Sequence, residues 1–364
     1  MASISIVGGG VAGLLVAREL AKHGYNVELF EEHRAFGVPR HCTGLVSEFT
    51  FRALGQPAYE SRVMRFNSYI IASCDLNRDI ELLLNEHVYL LDRVRLEKLI
   101  SVEAQCSGAT LKLGTYVRNV MSSGKVEVLR ESKKKYDYVV LAEGAVRKFA
   151  RDLGLCPRKL SSLKGLQAIA MIKKVKLDRP LIITCNNICR DFFAWVVPYS
   201  DEGNYIVGVA SAQDVYSSFT KLLKLISKHY GSEVVIVKHF GGLIPVSKPC
   251  ALARGNVVGV GDSISLVKPV SGGGIYPIVL EVKALVNAFR NDFIDKKRYY
   301  CELSKLRRLV TFQRVLKKLL TYFGGYEGVI NVLLSLGIRK IVVGDYDSLE
   351  LNLAETVRHL IFST

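Results

Sequence analysis

Glycines near the start of the chain have the spacing of a turn that holds a pyrophosphate. Gly8, Gly10 and Gly13 follow an apolar run at 4–7 and lead into a helical pattern. The first glycine permits a tight turn, the second lets the backbone approach the phosphates, and the third, with Ala17, lets the helix pack closely on the sheet. The pyrophosphate would then bind the amides and the positive end of that helix.

A glutamate ends the next apolar run and completes the predicted dinucleotide-binding motif. Glu31 lies about 20 residues after the glycine turn, where the second strand of a βαβ unit delivers a carboxylate to the ribose hydroxyls. A carboxylate here disfavours a 2′-phosphate, so NADP is an unsuitable occupant. The first 31 residues therefore predict a dinucleotide-binding βαβ unit.

Two later turns extend the pattern. An Ala-Glu-Gly at 142–144 follows a buried strand pattern, and a Gly-Asp-Ser at 261–263 follows another. Pro269 and a glycine run at 272–274 come next, before Ile275. Aspartate after glycine commonly forms a turn or caps a helix, but its place between a strand and a glycine cluster favours a cofactor contact.

Together these motifs resemble the group-A flavoprotein superfamily, which includes aromatic hydroxylases and geranylgeranyl reductases. The resemblance implies that FAD is the cofactor and that Asp262 binds its ribityl chain. It also implies that the helix beginning near Ile275 faces the flavin pyrimidine ring and that Arg93 touches FAD. Glu143 departs from the aspartate of the superfamily. The predicted cofactor contacts are Gly8, Gly10, Val11, Ala12, Gly13, Glu31, Glu32, Arg40, Cys42, Arg93, Val117, Glu143, Gly144, Gly261, Asp262, Gly272, Gly273, Gly274 and Ile275.

An aromatic run at 193–198, followed by Gly208, resembles the motif that lines the prenyl tunnel of geranylgeranyl reductases. Phe193, Val197 and Ala210 stand where that family has tyrosine, phenylalanine and glycine. The alternative is a strand whose aromatic side chains belong only to the core. The predicted substrate contacts are Phe193, Trp195, Pro198 and Gly208.

Cys42 is the candidate catalytic residue. Cys42-Thr-Gly44 resembles, with one inserted residue, the Cys-Gly segment that geranylgeranyl reductases carry near the flavin. A thiol there could donate a proton to the carbon opposite the hydride, or tune the flavin. The alternatives are an inert buried cysteine and, for the neighbouring His41, a turn, a ribityl contact or an acid.

The fold class predicted is α/β, because the apolar patterns change along the chain. A Rossmann-type FAD-binding domain is expected from 1–61, 91–158 and 246–295. An inserted antiparallel sheet that binds substrate is expected from 62–90 and 159–245, where apolar and polar residues alternate as in half-exposed strands. A mostly helical C-terminal region is expected from 296–364.

The net charge of +16 limits the partners rather than the fold. Nucleic acid is disfavoured, because no recognition motif and no basic run interleaved with aromatics is present. A basic helix at 303–320 places Leu303, Leu306, Val310, Leu316 and Leu320 near one face. Its cations, predicted to lie in solvent or against an anionic membrane, are Lys305, Arg307, Arg308, Arg314, Lys317 and Lys318.

Location and cysteine chemistry are predicted from absences in the sequence. No apolar run reaches the roughly 18 to 20 residues of a membrane-spanning helix, and the N-terminus lacks a basic region and a cleavage site, so we expect a cytoplasmic protein, peripheral at most. The eight cysteines show no metal or iron–sulfur spacing, so no metal is expected. Most should be reduced, with a Cys185–Cys189 disulfide left open.

These observations predict an FAD-dependent reductase of isoprenoid carbon–carbon double bonds, acting on a prenyl lipid or prenyl diphosphate. The electron donor would be NAD(P)H or a ferredoxin, since no second dinucleotide motif is visible. The alternatives are a flavin monooxygenase, a quinone-linked electron-transfer flavoprotein at the membrane, and a lipid-binding module that uses FAD structurally.

Overall fold

The computed structural model describes residues 1–351 except 131, 174, 201, 202, 348 and 349. The helices are α1 Val11–Lys22, α2 Glu48–Leu54, α3 Gln56–Ser61, α4 Arg93–Cys106, α5 Lys148–Asp152, α6 Val215–Tyr230, α7 Ile275–Ala288, α8 Lys296–Glu302, α9 Ser304–Tyr322 and α10 Gly325–Ser335. Short 3-10 helices cover Gly144–Val146 and Gly261–Ile264.

The strands are β1 Ser3–Val7, β2 Asn26–Phe30, β3 Leu45–Ser47, β4 Arg62–Ala72, β5 Asp79–Leu91, β6 Thr110–Lys112, β7 Val117–Val120, β8 Lys125–Val128, β9 Lys134–Lys135, β10 Tyr138–Leu141, β11 Ser162–Ile172, β12 Leu181–Ile183, β13 Ala194–Pro198, β14 Asn204–Ser211, β15 Val234–Pro245, β16 Ala253–Arg254, β17 Val257–Gly259, β18 Phe289–Arg290, β19 Phe293–Ile294, β20 Lys340–Asp345 and β21 Glu350–Leu351.

The cofactor half is built on a sheet in the order β16-β17-β10-β1-β2-β6, in which all neighbours except β16 and β17 run parallel. The four central strands are apolar and mostly buried, as a sheet covered on both faces requires. Helix α1 is buried along most of its length between this sheet and its neighbours. The α/β fold class predicted from the sequence is confirmed.

The second half is a sheet in the order β15-β11-β14-β13-β12-β4-β5-β20-β21, with β3 paired to β5. Most of its pairs are antiparallel, but β4 with β12 and β5 with β20 are parallel. The expected half-exposure of the strand at 205–210 is wrong, because β14 is buried on both faces. Helix α6 packs on one face, and the other face belongs to an apolar layer that contains Trp195.

The C-terminal region is less helical than the sequence indicated. After α8, α9 and α10 the chain returns to the large sheet as β20 and β21. Residues 341–343 form a β-branched apolar run, and Val342 and Val343, which point to opposite faces of β20, are both buried beside β5. The expectation of helix beyond residue 351 lies outside the described residues.

The buried face of α9 differs in part from the one that the sequence predicted. Its buried line is Leu306, Val310, Gln313 and Lys317, whereas Leu316 and Leu320 are only half-buried. Lys317 is therefore not on the solvated face. Its Nζ donates to the Pro269 carbonyl at 3.2 Å and lies 4.5 Å from the centre of the Phe192 ring.

Two disulfides correct the expectation that the cysteines are mostly reduced. Cys74 pairs with Cys185, and Cys156 pairs with Cys250, whereas Cys189 is free and buried. The partners are 111 and 94 residues apart in sequence, so only the tertiary fold brings them together. Among the residues described, no helix combines the length and apolar character needed to cross a membrane.

Candidate active site

The glycine turn between β1 and α1 has the shape that a bound pyrophosphate needs. Gly8 has φ +106°, and a Cβ there would collide with the Ala142 carbonyl; a Cβ at Gly13 would collide with the carbonyl of Gly8. A Cβ at Gly10 would meet no atom within 4 Å, although Gly10 is the N-cap of α1 and has an ordinary φ of −75°. The open space at Gly10, beside free helix amides, fits a phosphate group.

Glu31 lies at the edge of this turn. Its carboxylate accepts a hydrogen bond from the Gly9 amide at 2.6 Å and another from the His33 amide at 2.8 Å. The structure therefore holds the carboxylate beside the glycine turn, where the sequence predicted a ribose contact. Glu32 is exposed, and Val117 is buried at the start of β7.

Glu143, the departure from the superfamily aspartate, has a structural use of its own. Its carboxylate accepts from the amides of Phe149 at 2.9 Å and Ala150 at 2.7 Å, at the N-terminus of α5. Burial raises the pKa of Glu143, and the backbone donors oppose the rise. Gly144 has φ +70° and open space at its Cβ position, so it is the member of this pair that leaves room for a ligand.

Asp262 is buried near Arg147, Arg93 and His41, which come from three separate segments of the chain. Burial raises its pKa to about 6, and Arg147, Arg93 and His41 oppose the rise. Arg147 is 1% exposed and donates to Ser265, to Ser247 at 3.1 Å and to Ser162 at 2.9 Å. The sequence analysis missed Arg147, because no motif distinguishes it from the other arginines of the chain.

Glu281 on α7 was also missed. Its side chain is 0% exposed, and one carboxyl oxygen accepts from the amide of Gly261. The other oxygen has no partner among the described residues. Burial raises the pKa of Glu281 to about 8, the Gly261 amide lowers it, and nearby Asp262 raises it further. A buried acid in a helix otherwise rich in apolar residues, IYPIVLEVKALVNA, is the signal that could have revealed it.

We expect Glu281→Gln to stabilise the protein at alkaline pH and to change little in acid. Glutamine keeps an acceptor for Gly261 and cannot ionise. Because the folded pKa is about 8 against an ordinary 4.5, the wild type loses stability as the pH rises through that window. A shift of this size corresponds to a few kcal/mol at most. Urea unfolding at about pH 5 and pH 9 measures the difference; an equal difference at both pH values would contradict the assignment.

The loop before α7 is closed by its own backbone hydrogen bonds, and an ion pair joins it to the turn after β20. The Lys268 amide donates to the Gly273 carbonyl at 3.1 Å, and the Gly272 amide donates to the Lys268 carbonyl at 2.8 Å. The Lys268 ammonium forms a buried ion pair with Asp347 at 2.9 Å, and Asp347 also accepts from Ser47. The N-cap of α7 is Gly274, which has no side-chain cap, so the helix amides stay available to a ligand.

The Cys42 loop is anchored on both sides. His41 Nδ1 lies 2.8 Å from the Gly241 carbonyl, and Thr43 Oγ1 donates to Gln167 Oε1 at 2.6 Å. On the other side is Arg93, paired with Glu97. Burial lowers the pKa of Arg93, but Glu97 and the Cys42 sulfur outweigh this and the net shift is upward. The half-buried Cys42 thiol therefore lies beside a guanidinium.

Arg40 braces the same loop. It donates to the carbonyls of Cys42 at 3.2 Å and Thr43 at 2.8 Å, and its guanidinium lies 4.5 Å from the centre of the Phe240 ring. The structure thus gives Arg40 a role in the loop's conformation, and its contact with the cofactor stays a prediction.

A row of paired residues crosses the large sheet beneath this loop. Phe240, Gln167, Gly208 and Trp195 are direct partners on β15, β11, β14 and β13. Directly paired residues point to the same face of a sheet. A Cβ at Gly208 would collide with the Trp195 indole, so Gly208 serves to seat that ring. Trp195 Nε1 is buried without a partner in the part of the chain the structure describes.

The apolar side chains on this face continue to the loop before α7. Phe193 lies 6.1 Å from Trp195 and stacks on Phe192 at 4.0 Å between ring centres. A Cβ at Gly272 would contact Phe192 at 3.2 Å. An apolar layer therefore lies between the Cys42 loop and the loop predicted to face the flavin. Pro198 is buried at the end of β13.

These residues fit FAD. The open space at Gly10 and the uncapped N-terminus of α1 suit a pyrophosphate, and the uncapped N-terminus of α7 suits a ring edge. Asp262, near Arg147 and Arg93, suits a ribityl chain. The structure brings Cys42, Arg93 and Asp262 into one region. It places the Glu143 carboxylate at the N-terminus of α5 and leaves Glu32 exposed.

Comparison with known proteins agrees with this fit. Residues 3–100 match the family described as FAD dependent oxidoreductase. The digeranylgeranylglycerophospholipid reductase of Methanoculleus marisnigri is 27% identical over 296 residues, 75% of this chain and 72% of the relative. An uncharacterized protein of Methanocaldococcus jannaschii is 27% identical over 283 residues, 75% of this chain and 71% of the relative.

Solved structures show the same fold. A geranylgeranyl bacteriochlorophyll reductase-like protein from Thermoplasma acidophilum superposes with a TM-score of 0.83 at 19% identity, covering 99% of this chain and 98% of that one. The halogenase PltM in complex with FAD superposes with a TM-score of 0.71 at 15% identity, covering 91% and 78%.

The chain is an FAD-dependent oxidoreductase, and FAD is its cofactor. Within this class the chain is similar to relatives named digeranylgeranylglycerophospholipid reductase, at 23% to 27% identity.

Proposed function

We propose that this protein saturates carbon–carbon double bonds of isoprenoid chains, of the geranylgeranyl kind, in lipids or prenyl diphosphates. The observation that carries the proposal is the row of Trp195, Gly208, Gln167 and Phe240 beneath the Cys42 loop, in which the polar Gln167 is hydrogen-bonded to that loop and the other members are apolar. A long hydrocarbon chain can lie on such a surface without losing hydrogen bonds, and the relatives named for digeranylgeranylglycerophospholipids support that substrate class.

FAD, when bound and reduced, supplies the hydride. An isolated alkene accepts hydride poorly, so a proton must reach the other carbon of the bond. We propose Cys42, whose half-buried thiol lies beside the Arg93 guanidinium, as the donor of that proton, which it would regain from solvent. The Trp195 ring and its neighbours fix the alkene and exclude water.

We also propose NAD(P)H or a ferredoxin as the source of electrons, and peripheral contact with an anionic membrane as the place where lipid substrate is met. The excess of cations over acids, +16 for the chain, supports attraction to an anionic surface.

Anaerobic reoxidation tests the function. Enzyme reduced with dithionite should be reoxidised by a geranylgeranyl lipid or by geranylgeranyl diphosphate, and mass spectrometry should show a product heavier by two hydrogens per reduced bond. The matched control is the fully saturated analogue, which should leave the enzyme reduced. Rapid reoxidation by quinones alone would establish the electron-transfer alternative, and oxygen consumption that requires an aromatic substrate would establish a monooxygenase.

A further inference from the structure

Helix α9 has a second apolar line, on the side opposite the core. Phe312, Val315, Leu319 and Tyr322 follow one another at intervals of three and four residues, so they form one line along the helix. They are 65%, 51%, 49% and 82% exposed, and Phe323, which follows the helix, is 67% exposed. The buried line of Leu306, Val310, Gln313 and Lys317 lies about half a turn away.

This exposed line needs an explanation. Single exposed apolar residues are ordinary, but a continuous series of large ones marks an interaction surface. The hairpin that α9 forms with α10 exposes two more apolar side chains, Val332 at 59% and Leu336 at 69%. Burial of the first apolar face against the core leaves the second face without a partner among the described residues.

The charges that α9 itself carries are all of one sign. The sequence of α9, SKLRRLVTFQRVLKKLLTY, contains six lysines and arginines and no acid. Lys305 and Arg308 extend the exposed line toward the N-terminus, seven and four residues before Phe312, and Lys318 lies at its side. A groove of about 570 Å³ runs along the helix here and is lined by Tyr300, Ser304, Arg307, Arg308, Thr311, Phe312 and Val315.

We infer that the outer face of α9, formed by Lys305, Arg308, Phe312, Val315, Lys318, Leu319, Tyr322 and Phe323, docks on an anionic phospholipid bilayer. Helices with this arrangement lie in the plane of the interface, with apolar side chains among the acyl chains and cations at the head groups. The inference deepens the proposed function, on which its biological purpose rests, because it identifies the surface at which lipid is met.

A second copy of the chain is the less suitable occupant. A two-fold interface through this face would bring the same patch of both copies together, so each cation would approach its like without a neutralising acid on α9. An anionic bilayer neutralises the same charges and accepts the aromatic rings at its interface.

The inner face of α9 packs against the apolar layer that contains Phe192, Phe193 and Trp195. Lys317 lies against Phe192, which stacks on Phe193, which contacts the edge of Trp195. The outer face is therefore separated from that apolar layer by about one helix diameter, roughly 10 Å.

Co-sedimentation with vesicles tests the docking. The holoenzyme should bind vesicles of phosphatidylcholine mixed with phosphatidylglycerol, and binding to phosphatidylcholine alone should be much weaker. Phe312→Ser combined with Leu319→Ser should weaken partitioning about 100-fold, because two apolar side chains no longer enter the membrane. The matched control is Tyr216→Ser, which removes a 72% exposed ring from α6.

A charge test is independent of the apolar one. Arg308→Glu with Lys318→Glu should weaken binding at least tenfold and reduce its dependence on salt. Lys224→Glu with Lys228→Glu, on the exposed side of α6, changes the net charge equally and should have a much smaller effect. Each variant should keep its FAD absorbance and its reoxidation by geranylgeranyl diphosphate in solution.

Equal binding by the α9 variants and the wild type, equal losses in the α6 controls, or a dimer abolished by the α9 variants without vesicle binding would each overturn the inference. If docking fails while prenyl compounds still reoxidise the enzyme, the proposed function stands and the docking surface is wrong. If docking holds while no prenyl compound reacts, the docking surface stands and the proposed function is wrong.

Discussion

Gly10→Val should give a folded protein that does not bind FAD. The backbone at Gly10 has φ −75°, and a Cβ there meets no atom within 4 Å, so the fold accepts a side chain. The valine would instead fill the space that the pyrophosphate needs and would separate the phosphates from the amides of α1. Purified variant should be colourless, and thermal unfolding of the apoprotein should stay cooperative.

Two neighbouring substitutions make this result specific. Gly13→Ala should destabilise the fold itself, because its Cβ would collide with the Gly8 carbonyl. Gly10→Ala should bind FAD with intermediate affinity, since the methyl group is smaller. Acid precipitation of the wild type should release all of its FAD, because no covalent attachment motif is present. A Gly10→Val protein that retains stoichiometric FAD would show that the pyrophosphate lies elsewhere.

Cys42→Ala should slow reoxidation of the reduced enzyme by a prenyl alkene about 10²- to 10⁴-fold, the range that a positioned general acid contributes. FAD content should not change, since Cys42 is only one of the many predicted cofactor contacts. Stopped-flow absorbance under anaerobic conditions measures the rate. Cys106→Ala, which removes an exposed cysteine at the end of α4, is the matched control and should react as the wild type does.

The response of a second residue separates proton donation from substrate positioning. Trp195→Ala should mainly raise the substrate concentration needed for half-maximal rate, because the indole forms part of the apolar layer on which we propose that the substrate lies. The rate of reoxidation by oxygen should be similar in both variants and in the wild type, since that reaction needs neither the Cys42 thiol nor the apolar layer. An unchanged rate in Cys42→Ala would leave Cys42 as an inert buried cysteine and require another proton donor.

Two residues of the predicted motifs have structural contacts that the sequence did not indicate. Gly208 resembled a substrate contact, yet its lack of a side chain serves to seat Trp195 on the neighbouring strand. Glu143 resembled a cofactor contact, yet its carboxylate caps α5. In each case a contact made in the folded chain, with the Trp195 indole or with the α5 amides, gives the residue a structural role, and its predicted ligand contact stays a prediction.

The sequence by itself determined the features that depend on neighbouring residues. The β1–α1–β2 unit, the glycine turn, Glu31 and the Asp262 turn each rest on backbone preferences and spacings within a few tens of residues, and FAD follows from their order along the chain. The second sheet could be expected from alternation, but not the burial of β14, which depends on what covers each face.

Only the tertiary structure decided which distant residues meet. Glu281 reaches Gly261, Asp347 pairs with Lys268, and the disulfide partners lie about 100 residues apart. The apolar lines of α9 were ambiguous because the helix is apolar on two opposite sides, and periodicity cannot say which one the core covers. Burial also changes the chemistry of a side chain, as it does for Glu281 and Lys317, and burial is a property of the packed molecule rather than of the local sequence.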